Sequence, residues 1–168
     1  MRCLILLIFF TLNTCLAAEA VFDYKDQDDT FWKKKLSPEV YNICRASGTE
    51  YPGSGKYDKF YEDGTYYCAC CGGDHALYNS ATKFDSGTGW PSFYAPLDKA
   101  VIERPDPHVS ITNIFGVPTE VICSRCLSHL GHVFDDGPKP TGKRYCMNSL
   151  ALTFTPQGSS PVRTYVVQ

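Results

Sequence analysis

The sequence lacks a long apolar run, an excess of either charge and any internal repeat or low-complexity tract. Its N-terminal apolar stretch is about ten residues long, roughly half of the ~20 that a membrane-spanning helix needs. The formal net charge is −2, which gives no basic footprint for nucleic acid and no polybasic membrane patch. We therefore expect no nucleic-acid partner. With 168 residues, 43% of them hydrophobic, the chain predicts one packed globular domain.

The first twenty residues predict a secretory signal peptide. Arg2 precedes the apolar stretch, and Ala18-Glu19-Ala20 has the small-residue pattern of a cleavage site. A membrane anchor is the alternative, but the stretch is too short for one. Cys15 stands in a poor context for lipid attachment, which remains a minor alternative. We expect export, to the cell exterior, an organelle lumen or a periplasm, and a mature chain that starts near residue 21.

Removal of that segment leaves an odd number of cysteines. A complete disulfide framework needs an even number, so at least one thiol requires another explanation. The seven that remain are Cys44, Cys68, Cys70, Cys71, Cys123, Cys126 and Cys146.

The pattern of turn residues predicts a mainly β domain. Ser37 and Pro38 resemble the start of a helix and Gly48 its end, so one or two short N-terminal helices come first. From residue 57 onward, short β-prone runs alternate with turn residues, as in antiparallel sandwiches or barrels. We assign 21–155 to this domain and 156–168 to a C-terminal tail. The strand candidates include 107–115, 119–126, 131–137, 144–154 and 162–168.

Two CxxC pairs predict a metal site. A two-residue spacing lets a tight knuckle direct both sulfurs at one ion, and two knuckles complete a tetrahedral Cys₄ zinc site. Disulfides or a redox CxxC are the alternatives, although a redox CxxC usually opens a helix in an α/β unit. Four sulfurs leave no open position for water, so we expect one structural zinc per chain. The four candidate ligands are Cys68, Cys71, Cys123 and Cys126.

Cys146 stands in a polar context. In a strand, Arg144, Cys146 and Asn148 share one face. A nearby guanidinium favours the thiolate, which is the nucleophilic form. The alternative is a buried cysteine that serves only as a small hydrophobe.

Two histidines and a tryptophan are further candidates. His129 and His132 follow the second knuckle, and a thiolate mechanism needs a proton donor of this kind. Each histidine alone is more often structural than catalytic. Gly87, Gly89 and Pro91 surround Trp90, so its indole is held by a loop, either in the core or as the wall of a pocket.

Three segments together resemble the methionine-R-sulfoxide reductase B family. The resemblance covers about residues 30–155 and implies a domain of two antiparallel sheets with N-terminal helices and a zinc site formed by the two knuckles. The family acts on one epimer of methionine sulfoxide. The segments are "LSPEVYNICRASGTEYPGSGKYDKFYEDGTYYCACCG", "KFDSGTGWPSF" and "CSRCLSHLGHVFDDGPKPTGKRYCMNSLALTF".

The resemblance also implies a role for each polar candidate. Cys146 attacks the sulfoxide sulfur, and His129 and His132 bind and protonate the leaving oxygen. Methionine is released and Cys146 becomes a sulfenic acid, which a thioredoxin-like protein or a small thiol reduces. The expected substrate is methionine-R-sulfoxide in oxidised proteins, so the function is protein repair under oxidative stress, by a monomer.

The remaining roles concern substrate binding and orientation. Trp90 packs against the ε-methyl group of the substrate and Phe134 lines the pocket. Asn148 and Arg144 orient the site and stabilise the thiolate.

The sequence departs from the family at the position of the resolving cysteine and in a slightly longer stretch, "CGGDHALY", after the first knuckle. Many members carry a second, resolving cysteine where this chain has Thr88. Either Cys44 or Cys70 replaces it, or an external thiol reduces the sulfenic acid directly. A different class of function also stays open: a non-catalytic zinc-containing β module that binds a partner through Trp90.

Overall fold

The computed structural model describes residues 23–107 and 118–161. The predicted signal peptide and the strand candidate 162–168 lie outside these ranges, as does nearly all of the candidate 107–115. No helix within the two described ranges is long and apolar enough to cross a membrane.

Two short helices precede the sheets. Helix α1 spans Asp29–Lys35 and helix α2 spans Pro38–Arg45. The Ser37 hydroxyl accepts a hydrogen bond from the Val40 amide, as the predicted cap requires. Helix α2 packs against the strand and short 3-10 helix that flank the pocket described below. The predicted start of α2 is therefore confirmed.

Nine strands form two antiparallel sheets within the described residues. The small sheet has the order β2-β1-β9 and the large sheet the order β3-β4-β8-β7-β6-β5. This confirms the predicted fold class. The strands are β1 Gly64–Cys68, β2 Ala76–Asn79, β3 Lys83–Phe84, β4 Ser92–Phe93, β5 Val101–Pro105, β6 Thr119–Cys123, β7 His129–Phe134, β8 Arg144–Met147 and β9 Leu152–Pro156.

Aromatic side chains join the two sheets. Phe93 of the large sheet stacks on Tyr78 of the small sheet, with ring centroids 4.4 Å apart, and meets Tyr66 edge-on at 5.0 Å. All three rings are fully buried. The Tyr78 hydroxyl donates to the Met147 sulfur at 3.2 Å, so this core directly supports strand β8.

The prediction of one strand over 144–154 is wrong. Strand β8 ends at Met147, a 3-10 helix spans Ser149–Ala151, and β9 then joins the other sheet. The physical reason is burial on both sides of the break, which removes the alternation that a single strand would show: Met147, Asn148 and Ser149 are all buried. This break turns the chain between the sheets directly after the polar segment around Cys146.

Candidate active site

The four knuckle cysteines converge into one cluster. The Sγ atoms of Cys68 and Cys126 are 3.6 Å apart and those of Cys71 and Cys123 are 3.7 Å apart. All four ligand atoms lie within 4.8 Å of one another, and all four residues are buried. Sulfurs at about 2.3 Å from a tetrahedral metal ion are separated by roughly 3.8 Å. The cluster therefore has the dimensions of a closed Cys₄ metal site.

A separate pocket of about 130 Å³ contains Cys146. Seven residues are predicted from the sequence to react with or bind the substrate. Five of them line this pocket, and the other two, His129 and Arg144, do not. Three further lining residues were not predicted. The full lining is Trp90, His132, Phe134, Cys146 and Asn148, with Thr49, Gly131 and Met147 in addition.

Strand register places the polar residues in one row. Residues directly opposite each other on antiparallel strands point to the same face of the sheet. Successive register partners across strands β4, β8, β7, β6 and β5 are Ser92, Cys146, His132, Glu120 and Arg104. The row extends from the nucleophile candidate to a buried carboxylate, and the sheet itself sets its order.

Gly131 allows strands β7 and β8 to approach closely beside this row. A Cβ atom at Gly131 would lie 2.1 Å from the Cys146 carbonyl oxygen. A larger residue would push the strand that carries His132 away from the strand that carries Cys146. The glycine between the two histidines thus sets the width of the pocket.

Each histidine is oriented by a different carboxylate. The Nδ1 atom of His129 is 2.7 Å from Glu120, and the Nε2 atom of His132 is 2.7 Å from Asp106. A carboxylate only accepts hydrogen bonds, so these contacts assign the N–H to Nδ1 in His129 and to Nε2 in His132. The His129 Nε2 atom is buried and has no hydrogen-bond partner among the described residues. His132 is thus the imidazole of the pocket, and His129 lies behind it at a ring distance of 5.4 Å.

Burial controls the charge of His129. Desolvation lowers its pKa below the ordinary histidine value, and hydrogen bonding to Glu120 only partly offsets this. Glu120 also accepts from Arg104 at 2.7 Å. The His129 imidazole is therefore neutral near pH 7, with its Nδ1–H directed at Glu120.

Arg144 lies behind the pocket wall. Its guanidinium donates two hydrogen bonds to Asp136, at 2.8 and 2.7 Å, and stacks over the Phe134 ring at 4.3 Å. The Asp136 carboxylate raises the pKa of Arg144. Burial raises the pKa of Cys146, and the positive charge of Arg144 only partly offsets this. Arg144 thus contributes a positive charge near the thiol, while its guanidinium donors bind Asp136 and its stacking positions Phe134.

Burial is the main influence on the Cys146 thiol. Desolvation raises its pKa above the ordinary cysteine value, while Thr88, Arg144 and Ser92 act in the lowering direction. The Thr88 hydroxyl is 3.8 Å from the Cys146 sulfur. The resting side chain is consequently a thiol at neutral pH, partly prepared for ionisation by three neighbours.

Glu50 is a site residue that sequence reasoning missed. Its carbonyl oxygen accepts from the Trp90 indole at 3.1 Å, and its backbone N–H donates to Asn148 Oδ1 at 3.0 Å. Its buried carboxylate accepts from the Ser149 and Leu150 amides at 2.8 and 2.5 Å. One residue therefore holds the Trp90 loop against the end of strand β8. The only sequence signal was an acidic residue in a loop of glycine and proline.

Asn148 and Trp90 are fixed by backbone contacts. Asn148 is buried, and its Nδ2 donates to the Leu130 carbonyl at 3.1 Å in addition to the Glu50 contact. The Trp90 loop turns at Gly89, where φ is +93°, a value that L side chains rarely adopt. The Gly89 carbonyl accepts from the Gly53 amide at 2.7 Å. As predicted, a loop and not a strand holds the indole.

Cys44 and Cys70 lie away from the pocket. Both are almost completely buried. Cys44 and Cys70 contact each other, and Cys70 also contacts the knuckle cysteines. Neither lines the pocket of Cys146. The structure therefore brings neither candidate resolving thiol to the nucleophile candidate.

Comparison with known proteins agrees with this geometry. A family model described as "SelR domain" matches residues 36–156. A peptide methionine sulfoxide reductase MsrB of Pseudomonas syringae pv. syringae is 57% identical over 127 residues, which are 75% of this chain and 92% of that protein. Another of the same name, from Teredinibacter turnerae, is 50% identical over 133 residues, 79% of this chain and 93% of that protein. The chain belongs to the methionine sulfoxide reductase B (SelR) family.

Proposed function

We propose that this chain reduces the R epimer of methionine sulfoxide in oxidised proteins, with Cys146 as the nucleophile. The observation that carries the proposal is the position of Cys146. Cys146 lines this pocket beside Trp90 and His132, whereas the other six cysteines among the described residues are buried. An isolated thiol between an aromatic wall and an imidazole suits attack on a small polar sulfur centre that bears a methyl group.

The first step transfers oxygen from the substrate to Cys146. The thiolate gives an electron pair to the electrophilic sulfoxide sulfur while the sulfoxide oxygen is protonated. The oxygen ends on Cys146, so thiol plus sulfoxide become sulfenic acid plus methionine. The substrate sulfur gains two electrons and the Cys146 sulfur loses two.

His132 is the proton donor in this proposal. Its ring lines the pocket, and its register position is directly opposite Cys146. Asp106 stabilises the protonated ring through Nε2, which leaves Nδ1 for the sulfoxide oxygen or an intervening water. His129 and Glu120 support this ring from behind.

The other pocket residues select and orient the substrate. Trp90 and Phe134 give an apolar surface for the ε-methyl group. Asn148, fixed by Glu50 and Leu130, holds the end of strand β8 in place. Arg144 favours the thiolate through its charge and positions Phe134 through stacking.

An external thiol completes the cycle. Two thiol equivalents, from a thioredoxin-type protein or a small thiol, convert the sulfenic acid to thiol and water and leave as a disulfide. The burial of Cys44 and Cys70 beside the knuckles supports this route over an internal disulfide.

The proposed metal is one structural zinc ion per chain. The buried thiol-only cluster fits zinc in size and donor chemistry. It would connect the end of strand β1 with the turn that precedes β7, and so position His129 and His132. We also propose that the protein acts as a monomer.

Export is proposed from the sequence of residues 1–20. Arg2, the apolar stretch and the Ala18-Glu19-Ala20 site support it. N-terminal sequencing of the protein recovered from its native source tests this. A start near residue 21 is expected, and an intact Met1 would contradict it.

The replacement Cys146→Ser tests the proposed nucleophile. With excess dithiothreitol and a peptide that contains one methionine-R-sulfoxide, we expect kcat/KM to fall at least about 10³-fold, because a hydroxyl is a far weaker nucleophile. Zinc content should stay at the wild-type level. The matched control is Cys44→Ala, at a buried cysteine outside the pocket, which should retain turnover. Activity in Cys146→Ser, or equal turnover of the S epimer by the wild type, would contradict the proposal.

A further inference from the structure

A chain of three hydroxyl groups ends at the Cys146 sulfur. Ser92 Oγ donates to the Trp90 carbonyl at 3.1 Å and is 2.7 Å from Ser86 Oγ. Ser86 Oγ is 2.8 Å from Thr88 Oγ1, which is 3.8 Å from Cys146 Sγ. The two hydroxyl–hydroxyl distances are those of good O–H···O hydrogen bonds.

When Cys146 is a thiol, the available protons determine which group donates in each hydrogen bond of this series of hydroxyl groups. Each hydroxyl has one proton, and the Trp90 carbonyl can only accept. Ser92 gives its proton to that carbonyl, so it accepts from Ser86. Ser86 in turn accepts from Thr88. Thr88 then has no proton left, and the Cys146 S–H donates to Thr88.

When Cys146 is a thiolate, the hydrogen bond between Thr88 and the Cys146 sulfur must run in the other direction, with Thr88 as the donor. A thiolate has no proton and needs donors, so the Thr88 hydroxyl must turn from Ser86 to the sulfur. Ser86 keeps a donor when this happens, because the Thr88 backbone N–H lies 3.4 Å from its hydroxyl. One hydroxyl rotation therefore converts a site for a thiol into a site for a thiolate.

We propose that the Thr88 hydroxyl, positioned by Ser86 and Ser92, is a hydrogen-bond switch that stabilises the Cys146 thiolate. The inference rests on the proposed role of Cys146 as nucleophile. It gives a function to the residue that occupies the place of the family's resolving cysteine. Ser86 acts through Thr88 and is a positioning residue, whereas Ser92 also hydrogen-bonds directly with the Cys146 side chain.

The surroundings of Cys146 explain why such a switch matters. On its own strand, Arg144 is bonded to Asp136 by two hydrogen bonds. On β7, His132 is bonded to Asp106. Strand β4 and its preceding loop contribute only the uncharged hydroxyls. Burial raises the pKa of Cys146 and so opposes ionisation. The Thr88 hydroxyl is among the groups that lower this pKa and so favour the thiolate.

The hydroxyl chain does not itself remove the thiol proton. Its far end is the Trp90 carbonyl, which already accepts from Ser92 and is no proton acceptor at neutral pH. The proton therefore leaves on the pocket side, towards His132 or solvent. The Thr88 switch determines how much thiolate forms, while the His132 imidazole or solvent accepts the proton.

The test is the pH dependence of Cys146 alkylation in the zinc-loaded full chain. The Cys146 peptide is quantified by mass spectrometry after short pulses of iodoacetamide, without any sulfoxide substrate. Thr88→Val removes the hydroxyl and keeps the branched shape. We expect it to raise the alkylation midpoint by about one pH unit, which is tenfold less thiolate at a given pH below the midpoint.

Matched variants separate this effect from a general disturbance. Thr88→Ser should give the wild-type midpoint within a few tenths of a unit. Ser86→Ala removes the acceptor that competes with the sulfur for the Thr88 proton, so it should lower the midpoint, the opposite of Thr88→Val. Thr153→Val makes the same replacement at an exposed position of the small sheet and should leave the midpoint unchanged.

An unchanged midpoint in Thr88→Val with zinc retained would overturn the proposal, and so would a failure of Thr88→Ser to restore it. If Thr88→Val does not fold, Ser86→Ala decides: a lowered midpoint supports the proposal, and an unchanged or raised midpoint overturns it. Since the measurement needs no turnover, it can fail while Cys146→Ser still abolishes reduction, so the two proposals are separately testable.

Discussion

The knuckle cluster and the Cys146 pocket use the same side chain in opposite environments. Four cysteines face one another in the cluster, are fully enclosed and are close enough to share one ion. Cys146 is half-buried, faces hydroxyl groups and an aromatic wall, and contacts no other cysteine among the described residues. The first environment fits thiolates neutralised by a metal. The second fits a single thiol that ionises during a reaction.

The difference suggests a criterion: the cysteine proposed as nucleophile is the one that, among the described residues, has neither a second thiol nor a metal site beside it. A cysteine that ligates a structural metal ion is neutralised by that ion and is not available as a nucleophile. The knuckle cluster and the Cys146 pocket are separate, but strand β7 connects them. This strand begins three residues after Cys126 and carries His129 and His132. The cluster therefore influences the pocket through position and not through contact.

The largest expected effect is loss of the metal cluster. Cys123→Ser removes one of four ligands, and we expect zinc to fall from one equivalent to near zero. The melting temperature should drop by roughly 15 °C, from a loss of about 4–5 kcal/mol at ~3–4 °C per kcal/mol. Atomic absorption and calorimetry measure the two quantities. Cys146→Ser is the matched variant and should change neither. Retention of zinc by Cys123→Ser would break the comparison.

A smaller effect is expected at the residue that supports the pocket. In Glu50→Gln, one carboxylate oxygen becomes an amide N–H₂ group, which cannot accept from the backbone amides of the 3-10 helix. We expect a loss of about 1–3 kcal/mol in unfolding free energy and about a tenfold loss in kcat/KM, because Trp90 and Asn148 shift.

Urea unfolding and steady-state kinetics measure these effects, with zinc content unchanged. Glu62→Gln, at an exposed glutamate, is the control and should leave both values unaltered. If Glu50→Gln behaved like the control, Glu50 would not hold the pocket together.

The smallest effect is a shift in the reactivity of Cys146 with pH. Burial favours the neutral thiol, so its pKa lies above the ordinary value and the thiolate fraction at pH 7 is below that of a free cysteine. The alkylation rate should rise about tenfold per pH unit up to that pKa. The knuckle cysteines should stay unmodified while the metal is bound. A midpoint below that of an unstructured peptide cysteine would contradict the assignment of burial as the main influence.

Local patterns predicted the parts of the molecule that depend on short spacing. The start of helix α2 at Ser37, the two knuckles and the loop around Trp90 each follow from residues within a few positions of one another. The role of Cys146 followed from its polar neighbours together with the family resemblance. These features require no knowledge of which strands pair.

The parts that were missed depend on long-range register. Glu50 reaches Asn148 from 98 positions away, and Glu120 and Asp106 meet their histidines only after strands β5, β6 and β7 align. Sequence spacing carries no information on such contacts. The same limit explains the wrong prediction over 144–154, because its two halves join different sheets and only their distant partners show this.

Trapping of the oxidised cysteine tests the central account most directly. The reduced, zinc-loaded protein is mixed with one equivalent of methionine-R-sulfoxide peptide and a sulfenic-acid probe, without any reductant, and each cysteine peptide is quantified by mass spectrometry. We expect one labelled residue, Cys146, with the metal retained. Labelling or disulfide formation at Cys44, Cys70 or a knuckle cysteine in place of Cys146 would contradict it.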